Sequence, residues 1–233
     1  MSAKATAVYI DGYNLYYGRI RGTAYKWLDV VTLADRLLRD QDPAAEVQLV
    51  RYFSAHCLAR FATHGHASVN AQEAYHRALL ARHPARMKLK LGSHSHDPKG
   101  ALLPRYLDGV PYNRNDRVRV WKLEEKQTDV NLALAMYRDA CSGKFQQFVI
   151  CSNDSDAEPA LEAVRADFPA IEVGVVTPRY PPDAGRGHRN ALSALSGRAD
   201  WTRSYIRDDE LAACQLPPRV ATRKKPIDKP PHW

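Results

Sequence analysis

The chain has 233 residues, with 34 Lys or Arg against 26 Asp or Glu and a formal net charge of +8. Hydrophobic residues make up 45% and charged residues 26%, which excludes a disordered chain and gives one large or two small domains a real core. No apolar run nears the roughly 18 residues of a membrane span, and the N-terminus lacks a signal-peptide core, so a cytoplasmic location and no membrane partner are expected. The basic balance predicts an anionic partner, nucleic acid first. Cys57, Cys141, Cys151 and Cys214 show no CxxC pairing and read as reduced thiols.

In chain order, residues 6–11 form a first β-prone run. Tyr13 to Trp27 follows, with Tyr13, Tyr16, Tyr17, Arg19, Arg21 and Tyr25. Aromatics interleaved with arginines suit base stacking and phosphate contact, or anchor a loop on the core. Asp29 is placed to cap a helix through Arg39, with Val30, Leu33, Ala34, Leu37 and Leu38 on one face. Val47 to Ala55 predicts a second strand and Ala71 to Ala81 a helix. Met87 to Leu91 alternates apolar and basic residues as a half-exposed strand does.

Residues 92–116 are Pro/Gly-rich and read as an irregular insertion. His94, His96 and Asp97 within it also have a spacing compatible with zinc. Val118 to Leu123 returns to the sheet. Asp129 to Cys141 predicts a helix apolar enough to be buried against that sheet. Residues 145–152 form the central strand, Ala157 to Phe168 a helix, and Ile171 to Val176 a nearly continuous apolar strand. A Pro/Gly/Arg loop carrying Arg179, Arg186, His188 and Arg189 follows, then a short helix over 190–195, an edge element over 200–206 and a last helix over 208–214. Residues 216–233 read as a flexible basic, Pro-rich tail. Alternating apolar strands and helices predict an α/β fold with a mainly parallel sheet covered on both faces.

Three distant segments each place carboxylates where a strand ends or a helix begins. They are Ile10-Asp11-Gly12-Tyr13-Asn14, Glu125-Lys126-Gln127-Thr128-Asp129, and Cys151-Ser152-Asn153-Asp154-Ser155-Asp156. In a parallel sheet those ends share one edge, and converged carboxylates call for a cation or a proton. Helix capping alone also accounts for such residues.

In order and spacing these segments resemble the NYN domain family, relatives of the PIN-like nucleases, over about residues 6–215. Gln127 stands where the family commonly has glycine, and Ala157 where a larger apolar residue often follows. The resemblance implies a three-layer α/β/α sandwich with a PIN-like sheet, an acidic pocket for Mg²⁺ or Mn²⁺, and metal-dependent ribonuclease activity on RNA. It implies Asp11, Asp129 and Asp154 as metal-binding catalytic carboxylates, Asp156 as an auxiliary acid and Asn14 as an orienting residue. In that scheme Lys126, Ser152, Asn153, Tyr13, Arg19 and Arg179 bind nucleic acid or support the site, and a homodimer is compatible with the chain. Two alternatives stand beside it. One is a catalytically inactive RNA-binding or protein-interaction module of the same fold. The other is a hydroxypyridine monooxygenase, since some bacterial NYN-like chains resembling this one are so described; no GxGxxG fingerprint follows a strand here.

Overall fold

In the computed structural model, residues 3–182 and 193–233 are described. The positions Arg186, His188 and Arg189, and the first part of the short helix expected over 190–195, lie outside them.

The first strand, β1 (Lys4–Asp11), is buried along all but its first residue. It runs into α1 (Gly12–Leu15) and a single π-type turn over Tyr16–Ile20. Then come α2 (Val30–Gln41), β2 (Ala45–Ala55), α3 (His66–Arg82) and β3 (Met87–His96). A small hairpin, β4 (Ala101–Pro104) with β5 (Arg117–Val120), precedes β6 (Leu123–Lys126) and α4 (Thr128–Cys141). The rest is β7 (Gln147–Cys151), α5 (Glu158–Asp167), β8 (Glu172–Val176), α6 (Ser193–Ser196), β9 (Trp201–Arg203), α7 (Asp208–Ala213), β10 (Arg219–Val220) and β11 (Ile227–Asp228).

Seven strands form one sheet in the order β6-β3-β2-β1-β7-β8-β9. Every pairing is parallel except β3 with β6. The chain builds outward from β1 through β2 and β3, then returns to β7 on β1's other flank. That reversal makes the ends of β1 and β7 the switch point, where open α/β sheets leave a crevice for ligands.

The period-two alternation of β1 divides the interior. Ala7 and Tyr9 join a cluster with Leu132 and Met136 of α4 and Leu161 and Val164 of α5. Val8 and Ile10 join a second cluster with Leu33, Leu37 and Leu38 of α2, Trp27 and Tyr75. Each such fully buried apolar side chain contributes about 1.5–3 kcal/mol of transfer free energy. Asp29 caps α2 by accepting the N–H groups of Val31 and Thr32, and it also meets Nε2 of His83 at 2.8 Å.

Four local readings change. The expected strand over 118–123 is two strands: β5 belongs to the hairpin and β6 pairs antiparallel with the far end of β3. β3 is twice as long as its alternating pattern suggested, because β6 supplies a partner for Ser93 to His96. Helix α4 buries Leu132, Met136 and Ala140 but leaves Val130, Leu134 and Tyr137 exposed. Residues 216–233 are placed against the body, with Val220 and Ile227 buried and Trp233 packed on Trp27 and Tyr75. Among the described residues, no helix is long and apolar enough to cross a membrane.

Candidate functional site

The switch point holds a compact polar knot. Asp11 ends β1 and is buried; one carboxylate oxygen accepts the Asn14 N–H at 2.9 Å and the other the Ser152 hydroxyl at 3.2 Å. Asn14 Oδ1 accepts the Asn153 N–H at 3.0 Å, tying α1 to the end of β7. The Asp154 N–H donates to Ser152 Oγ at 3.2 Å, while the Asp154 carboxylate accepts the Asp156 N–H at 3.1 Å. Burial raises the Asp11 carboxyl above its ordinary value, opposed by the hydrogen bonds from Asn14 and Ser152.

Asp129, in the first turn of α4, and Glu125, on β6, complete an acidic rim. Burial first, and then Asp11 and Asp154, push Asp129 up to about 6. Burial, together with Asp11, Asp129 and Asp154, pushes Glu125 up to about 7. Sequence reasoning passed over Glu125, which lies within the quoted motif. Gln127, between the two, has a left-handed backbone (φ 78°), a conformation that favours glycine.

The rim gathers the predicted carboxylates but does not make them a cage. Among the described residues, no three His, Cys, Asp or Glu side chains are arranged to hold a metal ion. Both oxygens of Asp11 accept hydrogen bonds, from the Asn14 N–H of its own turn and from the Ser152 hydroxyl at the end of β7, and one oxygen of Asp154 accepts the Asp156 N–H. Asp156 is exposed and contributes its backbone N–H. Among the described residues the expected cage of three ligands is thus not formed, at His94 and His96 included.

Other predicted residues serve the scaffold. Lys126 Nζ pairs with Glu124 at 2.7 Å on the surface. Arg19 is fully buried; its Nε donates to the Ile206 carbonyl at 2.6 Å, it pairs with Asp208, and it lies 4.5 Å from the Tyr180 ring centroid. Arg179 donates to the Ser204 carbonyl.

Tyr13 leads elsewhere. It lines a cavity of about 450 Å³ on the α1 side of β1, walled by Tyr16, Tyr17, Tyr52, Phe61 and Tyr75 together with His94 and Trp233. The Tyr13 hydroxyl and His94 Nε2 are 2.6 Å apart, and His94 Nδ1 is 2.9 Å from the His56 carbonyl. A carbonyl only accepts, so Nδ1 carries the ring proton; Nε2 then accepts from the Tyr13 O–H. Burial lowers His94, which favours this neutral form. Gln72 fixes the wall opposite, donating to the Ala55 carbonyl and accepting the Cys57 N–H. Apart from the tyrosines after Asp11, no sequence signal pointed to this cavity, because its walls come from segments that no local pattern joins.

No family model matches the chain. The 6-hydroxy-3-succinoylpyridine 3-monooxygenase HspA of Pseudomonas putida is 38% identical over 242 aligned positions, which cover 98% of this chain and 75% of that protein. A crystal structure of VPA0982 from Vibrio parahaemolyticus, a protein of unknown function, superposes with a TM-score of 0.52. At 15% identity, covering 89% of this chain and 96% of that one, it speaks for the fold alone. The first likeness overturns the ribonuclease expectation, and with it the nuclease and hydrolase assignment: the relative matched over nearly the whole chain is named as an oxygenase.

Proposed function

The chain belongs to the family of the 6-hydroxy-3-succinoylpyridine 3-monooxygenase, and from that premise we propose that it is an oxidoreductase which inserts one oxygen atom of O₂ into a hydroxylated pyridine ring held in the tyrosine-walled cavity. The observation that carries the reading beyond the likeness is that cavity. Its volume lies in the range of small-molecule sites, and its walls combine aromatic faces with polar side chains, among them Gln72, His76 and His94.

At a ring carbon that bears hydrogen the balance is RH + O₂ + two electrons + two protons giving ROH + H₂O; at a carbon that bears an acyl arm, as C3 of a 3-succinoylpyridine does, it is ArCOR′ + O₂ + four electrons + four protons giving ArOH + R′CHO + H₂O, with a reduced nicotinamide or flavin supplying the electrons. A resident dinucleotide does not fit the turn after β1. The Asn14 N–H that a phosphate would take is already held by the buried Asp11 carboxylate, and a negative charge there opposes a pyrophosphate. Gly12 answers to packing instead: a Cβ on it would fall 2.6 Å from the Phe53 carbonyl oxygen. The reductant is therefore written as a co-substrate.

In this scheme the rings of Tyr16, Tyr17 and Tyr52 stack on a planar heterocycle, an arrangement aromatic pairs favour by about 0.5–1.5 kcal/mol beyond burial. Tyr13, with its proton directed to His94, keeps lone pairs to accept a hydrogen bond from the ring hydroxyl. The finer architectural reading, a three-layer α/β/α sandwich of the NYN and PIN-like kind, is supported by the two apolar clusters on opposite faces of β1.

Purified protein given 6-hydroxy-3-succinoylpyridine, NADH and ¹⁸O₂ tests the reading. One labelled atom in the organic product and stoichiometric oxygen uptake are expected. Product formed with oxygen from water, or no uptake with NADH or with reduced flavin, would remove the oxygenase assignment.

A further inference from the structure

The cavity wall has a one-sided charge. Among the described residues Arg21 and Lys26 line it, and no aspartate or glutamate does. Half of the other described arginines face a carboxylate, as Arg36 does Asp209, Arg51 does Asp139 and Arg165 does Asp200. Arg21 and Lys26 have no carboxylate partner among the described residues. Lys26 Nζ meets the backbone carbonyl of His232 at 3.3 Å, and the Arg21 guanidinium lies 5.3 Å from the Tyr17 ring centroid.

The segment carrying these two cations is held in place. Thr23 Oγ donates to the Ile20 carbonyl at 2.7 Å and accepts the Tyr25 N–H at 3.1 Å. The next residue, Trp27, is fully buried and its indole N–H donates to the Pro217 carbonyl at 2.9 Å. Beside Lys26, the His232 and His64 rings stand 4.8 Å apart. Burial, and then His64 and Lys26, hold His232 below its ordinary value, so it meets a ligand as a neutral ring. Two cations without a counter-ion on an anchored segment raise the local concentration of anions at the cavity.

We infer that Arg21 and Lys26 form an anion subsite of the cavity, the pair of side chains that takes the carboxylate arm of a planar aromatic ligand. The inference rests on reading the cavity as the substrate site. The ring lies against the tyrosines and the arm reaches Arg21 and Lys26, with no carboxylate in the wall to repel it.

Calorimetric titration with 6-hydroxy-3-succinoylpyridine, its methyl ester and 2-hydroxypyridine tests this without turnover. The acid should bind about tenfold tighter than the ester, a gap that closes in 0.5 M NaCl and in the Arg21→Gln, Lys26→Gln double variant. The salt series uses the unaltered protein, so a misfolded variant cannot hide the answer. Acid and ester binding within twofold, or a gap that survives both salt and substitution, would overturn the subsite. An acid that binds with the expected gap but consumes no oxygen would uphold the subsite and refute the oxygenase reading. Oxygen consumption with no acid–ester gap would do the reverse.

Discussion

Asp11 and Tyr13 leave the end of β1 two positions apart and enter two regions built by opposite means. The acidic rim is assembled from short motifs at strand ends, and its groups are largely committed to one another and to their own turns. The cavity is assembled from single residues on α1, β2, α3, β3 and the last residues of the chain. Its polar side chains stand among aromatic rings, and Arg21 and Lys26 lack carboxylate partners among the described residues. A conspicuous carboxylate pattern thus marks the joint that holds β1 to β7, while the space suited to a ligand lies beside it.

Gly12 joins the two regions, and changing it should have the largest effect. A Cβ there would fall 2.6 Å from the Phe53 carbonyl oxygen and 2.7 Å from the Tyr52 ring. The backbone or the cavity wall must shift, and overpacking of this kind costs about 1–3 kcal/mol. Gly12→Ala should lower the melting temperature by about 2–4 °C per kcal/mol lost, together with ligand binding in the cavity. An unchanged thermal scan would mean that the joint is not rigid.

A paired substitution separates the regions. Tyr13→Phe keeps the ring but removes the hydroxyl between ligand and His94, so kcat/KM on a hydroxypyridine should fall about 10–100-fold with little change in melting. Asp154→Ala removes a cap and should cost about 1 kcal/mol of stability, with Asp154→Asn near the original protein because the amide oxygen still accepts. Steady-state oxygen uptake and thermal unfolding on the same samples give both readings. A turnover loss confined to the Asp154 variants would put the chemistry back on the rim.

The fold was legible because its signals are local. The apolar runs of β1, β7 and β8, the periodicity of α2 and the Asp29 cap each occupy a few consecutive residues, and they sufficed for a mainly parallel α/β sheet. The site was legible only in half. Asp11, Asn14, Ser152, Asn153 and Asp154 do converge, as their strand-end positions foretold. Spacing could not tell a carboxylate aimed at a cation from one aimed at the amide two or three residues on; that is a matter of side-chain direction within one turn. Arg19 misled for a similar reason: among tyrosines it looks like a phosphate ligand, but its partners, Ile206 and Asp208, lie nearly two hundred residues downstream. His94 needed the pairing of β3 with both β2 and β6 before its position against Tyr13 could be known.

The smallest expected effect is electrostatic and tests whether the rim's charges share one space. Glu125 is pushed up to about 7 and Asp129 to about 6, by burial first and neighbouring carboxylates second. In the unfolded chain both ionise near pH 4. Between about pH 4 and 7 the folded protein therefore holds protons that the unfolded chain has released, and stability declines as the pH rises. The contribution is whole below pH 4 and gone once the pH passes the folded values. Asp129 is exposed and Glu125 partly so, and screening reduces the total to about 1 kcal/mol. His76 acts in the other direction: burial holds it to about 4, so its share is lost as the pH falls below about 6.5. Comparing Glu125→Gln with the unaltered protein cancels the histidine. The variant should gain stability at pH 8 and none at pH 4, measured by urea unfolding. Equal differences at the two pH values would show that Glu125 does not feel Asp11, Asp129 and Asp154, and the rim would dissolve into separate helix caps.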